Sequence, residues 1–430
     1  MLLALLLAAG AAGSSRAAAA GAAASPGPAA SPGLSEAETT AIIREVTAEV
    51  EKLRGLRRKV NLKVELLDGP LFTAKVREKA LLDLTPKAVA EEKARWLAFD
   101  LAPPEADPAA ILLGVLDEQV AGFYDPREKK LFVRAFDSVA GTFSADLLRL
   151  VLAHEIEHAL QDQNFGIPDL AALPDDDTRL ARSALLEGDA MAVMSAYAAQ
   201  RAGKPVRDSV LAGAAAMLQM GTDGLTGNAA QLKKAPAVVR EELLFPYAQG
   251  FALVAEAYRR GGFAQVDKLF ARPPQSTHQV LHPEAYFAGE EPVAVPPPAL
   301  PQGAKLLARG RMGELGARLA LETCLDPEVG RDFVQSWAGD AFLIYELHGH
   351  AELIWESAWK GDVSENLANL LRLLAPCWSE QKGVSGEVNI VKKGALVGLS
   401  RGGADLNAVL AVPLPRKAAA PQDAASKREN

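Results

Sequence analysis

The sequence predicts an α+β protein: a mainly helical body with a small β-hairpin and edge strand, followed by a smaller C-terminal α+β domain. Three observations carry this prediction. Apolar residues recur at helical spacing through much of 35–291, short alternating runs flank tight turns near 125 and 349, and a Pro-rich segment at 292–303 parts the two regions.

The elements follow in order. Met1 to Gly13 is an apolar run followed by small residues, which reads as a secretory signal over 1–20. It is short of the about 20 apolar residues a membrane span needs. The chain is therefore expected to be exported, periplasmic or extracellular, with no stable membrane insertion after cleavage; an uncleaved anchor is the alternative. Residues 21–34 are an Ala, Ser, Pro and Gly tract without an apolar face, expected to be a disordered linker. Ser35 and Glu38 form a capping-box signature, and Ile42, Ile43, Val46, Val50 and Leu53 then repeat at helical spacing. Alternation over Val60 to Leu67 predicts a strand, and Thr85-Pro86 opens a helix.

Val120 to Tyr124 and Lys130 to Arg134 read as two strands around the turn Asp125-Pro-Arg-Glu128. Helices are expected over Ala145 to Asn164, about Thr178 to Arg201, and Tyr247 to Arg260 after a break at Pro246. In the C-terminal domain, 304–413, a helix is expected at Gly313 to Cys324. Strands at Ala341 to Leu347 and Ala351 to Ala358 are joined by His348-Gly-His350, and a helix at Val363 to Leu374 precedes strands at Glu387 to Val391 and Ala395 to Leu399. Residues 414–430 have the composition of a frayed tail.

A 49% hydrophobic fraction is ample for proper cores, and a net charge of −8 with both signs mixed offers no basic surface for nucleic acid. Cys324 and Cys377, the two cysteines, permit one disulfide in an exported chain, or remain two buried thiols.

The chemistry concentrates in His154-Glu155-Ile156-Glu157-His158, an H-E-x-x-H motif within a predicted helix. Residues four apart share one helical face, so both imidazoles can reach one Zn²⁺ at about 2.0–2.1 Å. Glu155 then serves as base toward a water whose pKa the metal lowers. A catalytic zinc needs a third protein ligand and an open position. Glu187, 29 residues beyond His158 on the next long helix, is the best candidate; Asp169, Asp175, Asp176 and Asp177 are alternatives. Gly188 inside that helix implies close approach of another element. Asp162 and Asp189 are candidates to orient the ligating histidines. Lys130 to Arg134 is the natural edge strand for an extended peptide, and Tyr247 and His282 are the candidate oxyanion donors. His348 and His350, without a carboxylate cluster, read as unliganded turn residues.

This arrangement resembles the gluzincin class of zinc peptidases, typified by thermolysin, with H-E-x-x-H on one helix and a Glu on a later one. The resemblance implies a zincin-like catalytic domain with His154, His158 and Glu187 as ligands and Glu155 as base. The carboxylate that thermolysin carries four residues after its third ligand is Met191 here. A broader likeness, from about Val115 to about Leu374, is to a group of exported bacterial metallopeptidase-like proteins of unassigned substrate. It rests on Glu118-Gln-Val-Ala-Gly-Phe-Tyr-Asp-Pro126, His154 to Gln163, Glu187-Gly-Asp189, Ser276-Thr-His-Gln-Val-Leu-His-Pro-Glu284 and Trp337-Ala-Gly-Asp340. The reading is a secreted peptidase with one Zn²⁺ ion, acting on peptide or protein substrates. The alternatives are a zinc amidase on a cell-envelope amide and a non-catalytic binding protein containing zinc.

Overall fold

A computed structural model describes residues 35–120, 122–135, 145–227, 229–361, 363–380, 387–404 and 406. The expected signal, the 21–34 linker and the 414–430 tail lie outside the described residues. The fold is α+β. Its first half comprises α1 (Glu36–Arg54), β1 (Lys63–Leu67), α2 (Gly69–Asp83), α3 (Pro86–Ala98), α4 (Pro108–Gln119), β2 (Gly122–Asp125), β3 (Lys130–Arg134), α5 (Ala145–Asn164) and α6 (Asp176–Arg201). There follow α7 (Val206–Thr226), α8 (Ala230–Lys234), α9 (Ala237–Gly261), α10 (Phe263–Ala271), α11 (Thr277–Leu281) and α12 (Pro283–Phe287). The C-terminal part holds β4 (Lys305–Gly310), α13 (Gly313–Glu322), α14 (Pro327–Val334), β5 (Trp337–Leu347), β6 (His350–Trp359), α15 (Val363–Glu380), β7 (Val388–Lys393) and β8 (Leu396–Arg401).

Local chemistry sets several boundaries. Ser35 accepts from Glu38 N while Glu38 reaches back to Ser35 N, completing the capping box, and Gly55 ends α1 in the left-handed conformation. Thr85 and Asp107 cap α3 and α4, each with Pro at the start of the helix. The β5–β6 turn has positive φ at both His348 (52°) and Gly349 (81°), as a two-residue type I′ hairpin requires.

Two expectations need correction. Lys130–Arg134 is not an edge strand. The first sheet has the order β1-β3-β2, with β1 parallel and β2 antiparallel to β3, so both edges of β3 are occupied. The parallel partner arrives through a long crossover, a pairing that alternation within β3 cannot reveal. Nor does Pro246 break a helix: α9 runs from Ala237 to Gly261 with Pro246 inside it. The lost hydrogen bond is tolerated because Val238, Leu244, Phe245, Phe251 and Val254 are all buried along one continuous helix.

The first sheet alternates cleanly between two apolar layers. Phe123 and Phe132 stack at 4.9 Å and face Phe72, Val76 and Leu116, whereas Tyr124, Leu131 and Val133 face α1 and α5. Gly122 lets α5 lie close, since a Cβ there would stand 3.2 Å from Val151 Cγ1. The second sheet has the order β4-β5-β6-β8-β7, antiparallel throughout. The main apolar core is continuous across the Pro-rich segment: Trp96, Ala184, Phe251, Leu315, Trp337, Trp355 and Leu399 belong to one buried cluster. The segment itself lies along β5, where Val293 N donates to Ala338 O at 2.7 Å. Cys324 and Cys377 are disulfide-bonded with Cα atoms 6.1 Å apart, tying the end of α13 to α15.

Helices α6 and α9 meet backbone to backbone. A Cβ on Gly188 would run into the Gly250 carbonyl and stand 2.9 Å from Phe251 N, and one on Gly250 would run into the carbonyl of Ala184. Here the obstacle is backbone, which cannot swing aside. Gly250→Ala is therefore expected to lower the unfolding free energy by about 3 kcal/mol in urea titration. Gly114→Ala, on α4 with only Gln231 Oε1 at 3.8 Å, should instead add up to about 1 kcal/mol. Equal effects at the two sites would show that the helix contact is looser than described.

Candidate metal centre

Two adjacent helices supply the donors. His154 and His158 sit one turn apart on α5, and their Nε2 atoms are 3.1 Å apart. Glu187, in the middle of α6, places Oε2 3.0 Å from His154 Nε2 and 3.4 Å from His158 Nε2. The three atoms form a triangle with edges of 3.0, 3.1 and 3.4 Å. A tetrahedral ion bound at about 2.0–2.1 Å has ligand edges of about 3.3–3.4 Å, so a metal ion fits on these donors with only slight spreading. All three residues are buried.

A chain of hydrogen bonds orients His158. Gln161 Nε2 donates to Leu186 O at 3.0 Å and to Asp189 Oδ2 at 3.2 Å, which leaves its Oε1 to accept from His158 Nδ1 at 3.0 Å. With the proton on Nδ1, the Nε2 lone pair points into the triangle. Asp189 is held in turn by Arg54 from α1, whose Nε is 3.0 Å from Asp189 Oδ1 and 3.3 Å from Glu157 Oε1, and whose Nη1 is 2.7 Å from Asp267. Asp189 thus supports the histidine at one remove. Asp162 does not: it accepts from Tyr124 Oη and Lys129 Nζ, both at 2.7 Å. Neither Arg54 nor Gln161 is foreseeable from the motif, because a buried arginine becomes recognisable only once its carboxylates are assembled from α5, α6 and α10.

The electrostatics favour cation binding. Burial would raise the Glu187 carboxyl, but the charges and hydrogen bonds of the two imidazoles prevail and hold it at about 2. Burial also opposes charge on His158, yet the Glu187 carboxylate outweighs it and raises the imidazole to about 9; His154 is lowered, chiefly by burial. A metal ion entering the triangle competes with that His158 proton for Glu187. Burial and the Asp189 charge push the Glu157 carboxyl well above its ordinary range, against the pull of Arg54.

Glu155 follows the first ligand and turns toward β2, where its Oε2 accepts from Tyr124 N at 2.7 Å. Tyr247 of α9 lies over His154, with ring centroids 6.3 Å apart and planes inclined by 22°. The glycine contact between α6 and α9 is what allows that ring so close. The structure thus brings together His154, Glu155, His158, Glu187 and Tyr247.

His282 belongs elsewhere. With His278 and Glu314 it forms a second group whose donor atoms lie within 4.8 Å of one another. Thr277, beside His278, docks on Asp177, ten residues before Glu187 on α6 and so about 15 Å away along the helix. A signal for this group was present in the sequence: His278 and His282 repeat the four-residue spacing of His154 and His158. Two His-His-Glu groups able to hold a metal ion therefore exist among the described residues. The other acidic candidates are engaged locally: Asp169 and Asp175 cap helices, Asp176 pairs with Arg179 and Arg95, and Asp177 receives Thr277. His348 and His350 are exposed at the β5–β6 turn.

No protein-family model matches this chain, and neither a curated protein nor a solved structure matches it. The site is accordingly defined by its own geometry.

Arg54 has its side chain fully buried beside Glu157 and Asp189. Arg54→Met leaves those carboxylates without their cation and is expected to cost about 3–5 kcal/mol of stability, measured by chemical denaturation. A loss below about 1 kcal/mol would show that the buried carboxyls do not depend on it.

Proposed function

We propose that this protein is an exported zinc-dependent peptidase of the gluzincin type, hydrolysing peptide bonds at the His154, His158 and Glu187 centre. The observation that carries the reading is the near-tetrahedral triangle of two imidazoles and one carboxylate with Glu155 beside it on the same helix. Two nitrogens and one carboxylate at these distances suit zinc among the common divalent ions, and three protein donors leave one position for chemistry. When bound, the ion supplies Lewis acidity and lowers the pKa of a water in that position.

The chain's own residues do the rest. Glu155 takes the proton of the attacking water and delivers it to the departing amine. Its hydrogen bond from Tyr124 N fixes the carboxylate on the β2 side of the histidines. Tyr247 is the candidate donor to the developing oxyanion because its ring already lies against His154. Gln161 and Asp189 hold His158 in the tautomer that presents Nε2.

Export is supported by the apolar run at Met1 to Gly13 and by the Cys324–Cys377 disulfide, which suits an oxidising compartment. Among the described residues no helix is long and apolar enough to cross a membrane. An amidase acting on a non-protein amide would use the same groups. One observation favours a structural-zinc reading: His154 and Glu187 are only 2% exposed. Against it stands the donor count, since structural zinc sites are closed by four protein ligands.

Two substitutions separate these readings. Glu155→Gln should retain the metal, measured by elemental analysis, while hydrolysis of an unfolded protein substrate falls by about 10²–10⁴-fold. Glu187→Ala should lose the ion held at this centre and, with it, activity. Full activity in Glu155→Gln would eliminate the peptidase mechanism, and unchanged metal content in Glu187→Ala would eliminate the third ligand.

A further inference from the structure

We infer that His278, His282 and Glu314 form a second binding site, for a divalent metal ion of the zinc class, that clamps the C-terminal sheet region to the helical body. The two histidines lie four residues apart across α11 and its C-cap, with ring centroids 4.6 Å apart. Glu314 enters from the first turn of α13. His278 Nδ1 hydrogen-bonds Glu314 Oε2, and His282 Nε2 is 3.0 Å from both Glu314 oxygens. Two imidazoles and a carboxylate open to both oxygens are the donor set that borderline divalent ions prefer.

Both donor segments are set in place by buried carboxylates that are not themselves donors. Asp177 accepts from Thr277 N and Oγ1, each at 2.6 Å, and Thr277 Oγ1 in turn receives Leu315 N at 3.2 Å. Asp340 accepts from Met312 N at 2.8 Å, Gly313 N at 3.0 Å and the indoles of Trp337 and Trp355 at 3.0 and 3.1 Å. The ends of α11 and α13 are thereby held facing each other, which lowers the ordering cost of binding an ion between them. His278 and Glu314 are buried, whereas the His282 side chain is 23% exposed, so an ion has a route in from the His282 side.

A positive group already leans on the cluster. Lys360 Nζ is 3.0 Å from His278 Nε2 and also contacts Glu290. An ammonium only donates, so His278 Nε2 accepts and Nδ1 carries the proton that it gives to Glu314. An ion binding at Nδ1 moves that proton to Nε2, and Lys360 withdraws to Glu290 and solvent. The Lys360 side chain is 44% exposed, which leaves it free to move. Lys360 therefore opposes the ion. The donors straddle the Pro-rich segment, α11 before it and α13 after it, so a bound ion cross-links the two parts of the chain.

The test uses the full chain carrying His158→Ala and Glu187→Ala, which removes the first site, titrated with Co²⁺ and Zn²⁺. One equivalent of Co²⁺ should bind with visible d–d absorption, and Zn²⁺ should displace it and raise Tm. Adding His278→Ala and His282→Ala should abolish both signals. Adding Lys360→Met instead should tighten Co²⁺ binding about tenfold or more, a readout that does not depend on removing a ligand. If the first-site double variant binds no Co²⁺, if binding persists without His278 and His282, or if Lys360→Met weakens it, the cluster is a hydrogen-bonded charge network and the proposal fails. Loss of the second ion alone would leave the peptidase reading intact.

Discussion

Two helices can meet backbone to backbone only where neither carries a side chain, and α6 meets α9 at Gly188 and Gly250. Much of the site follows from this contact. It brings α9 close enough for Tyr247 to lie over His154. It also locks the turn of α6 that carries Glu187, whose carboxylate must meet two imidazoles of α5 within 3.4 Å. A side chain at either glycine would separate the helices by the thickness of a methyl group. Donor edges near 3 Å have no slack for such a shift.

Burial makes the second demand. His158, Glu157, Gln161, Asp189 and Arg54 are all in the interior, where an unpaired charge is costly. The fold answers with a continuous network from Arg54 through Asp189 and Gln161 to His158, and it assigns a tautomer along the way. The arginine on α1, the first described helix, thus reaches the catalytic machinery proposed for α5 without touching it. The same logic recurs around Glu314, where Asp177 and Asp340 fix the neighbouring backbone. The two clusters share residue types but differ in packing. The first is a buried triangle between helices; the second is partly open at His282 and has a lysine standing against it.

Legibility in the sequence tracked the range of the interactions. The α5 helix appears with the predicted bounds Ala145–Asn164, and α1 begins at its predicted capping box, because caps and apolar periodicity act over a few residues. Gly188 announced a close approach, as an unforced glycine inside a helix should. Pro246 misled, since a local helix-breaking tendency yields when flanking side chains are buried on both sides of it. The position of β3 also misled: it pairs with β1 in the register Lys63↔Lys130, and the two strands stand far apart along the chain with three helices and β2 between them. Such a pairing leaves no mark within either strand.

By itself the sequence determined the donors' spacing on α5, because a four-residue interval maps onto one helical face whatever surrounds it. It likewise determined the α+β class, the hairpin around Gly349 and the chemical character of Glu187. Only tertiary structure decided that Glu187 reaches the imidazoles, that Gln161 rather than Asp162 orients His158, that Cys324 meets Cys377, and that His282 joins Glu314 instead of the first site. Each of these depends on where separate helices cross, and a crossing is set by the summed packing of many buried residues rather than by any local pattern.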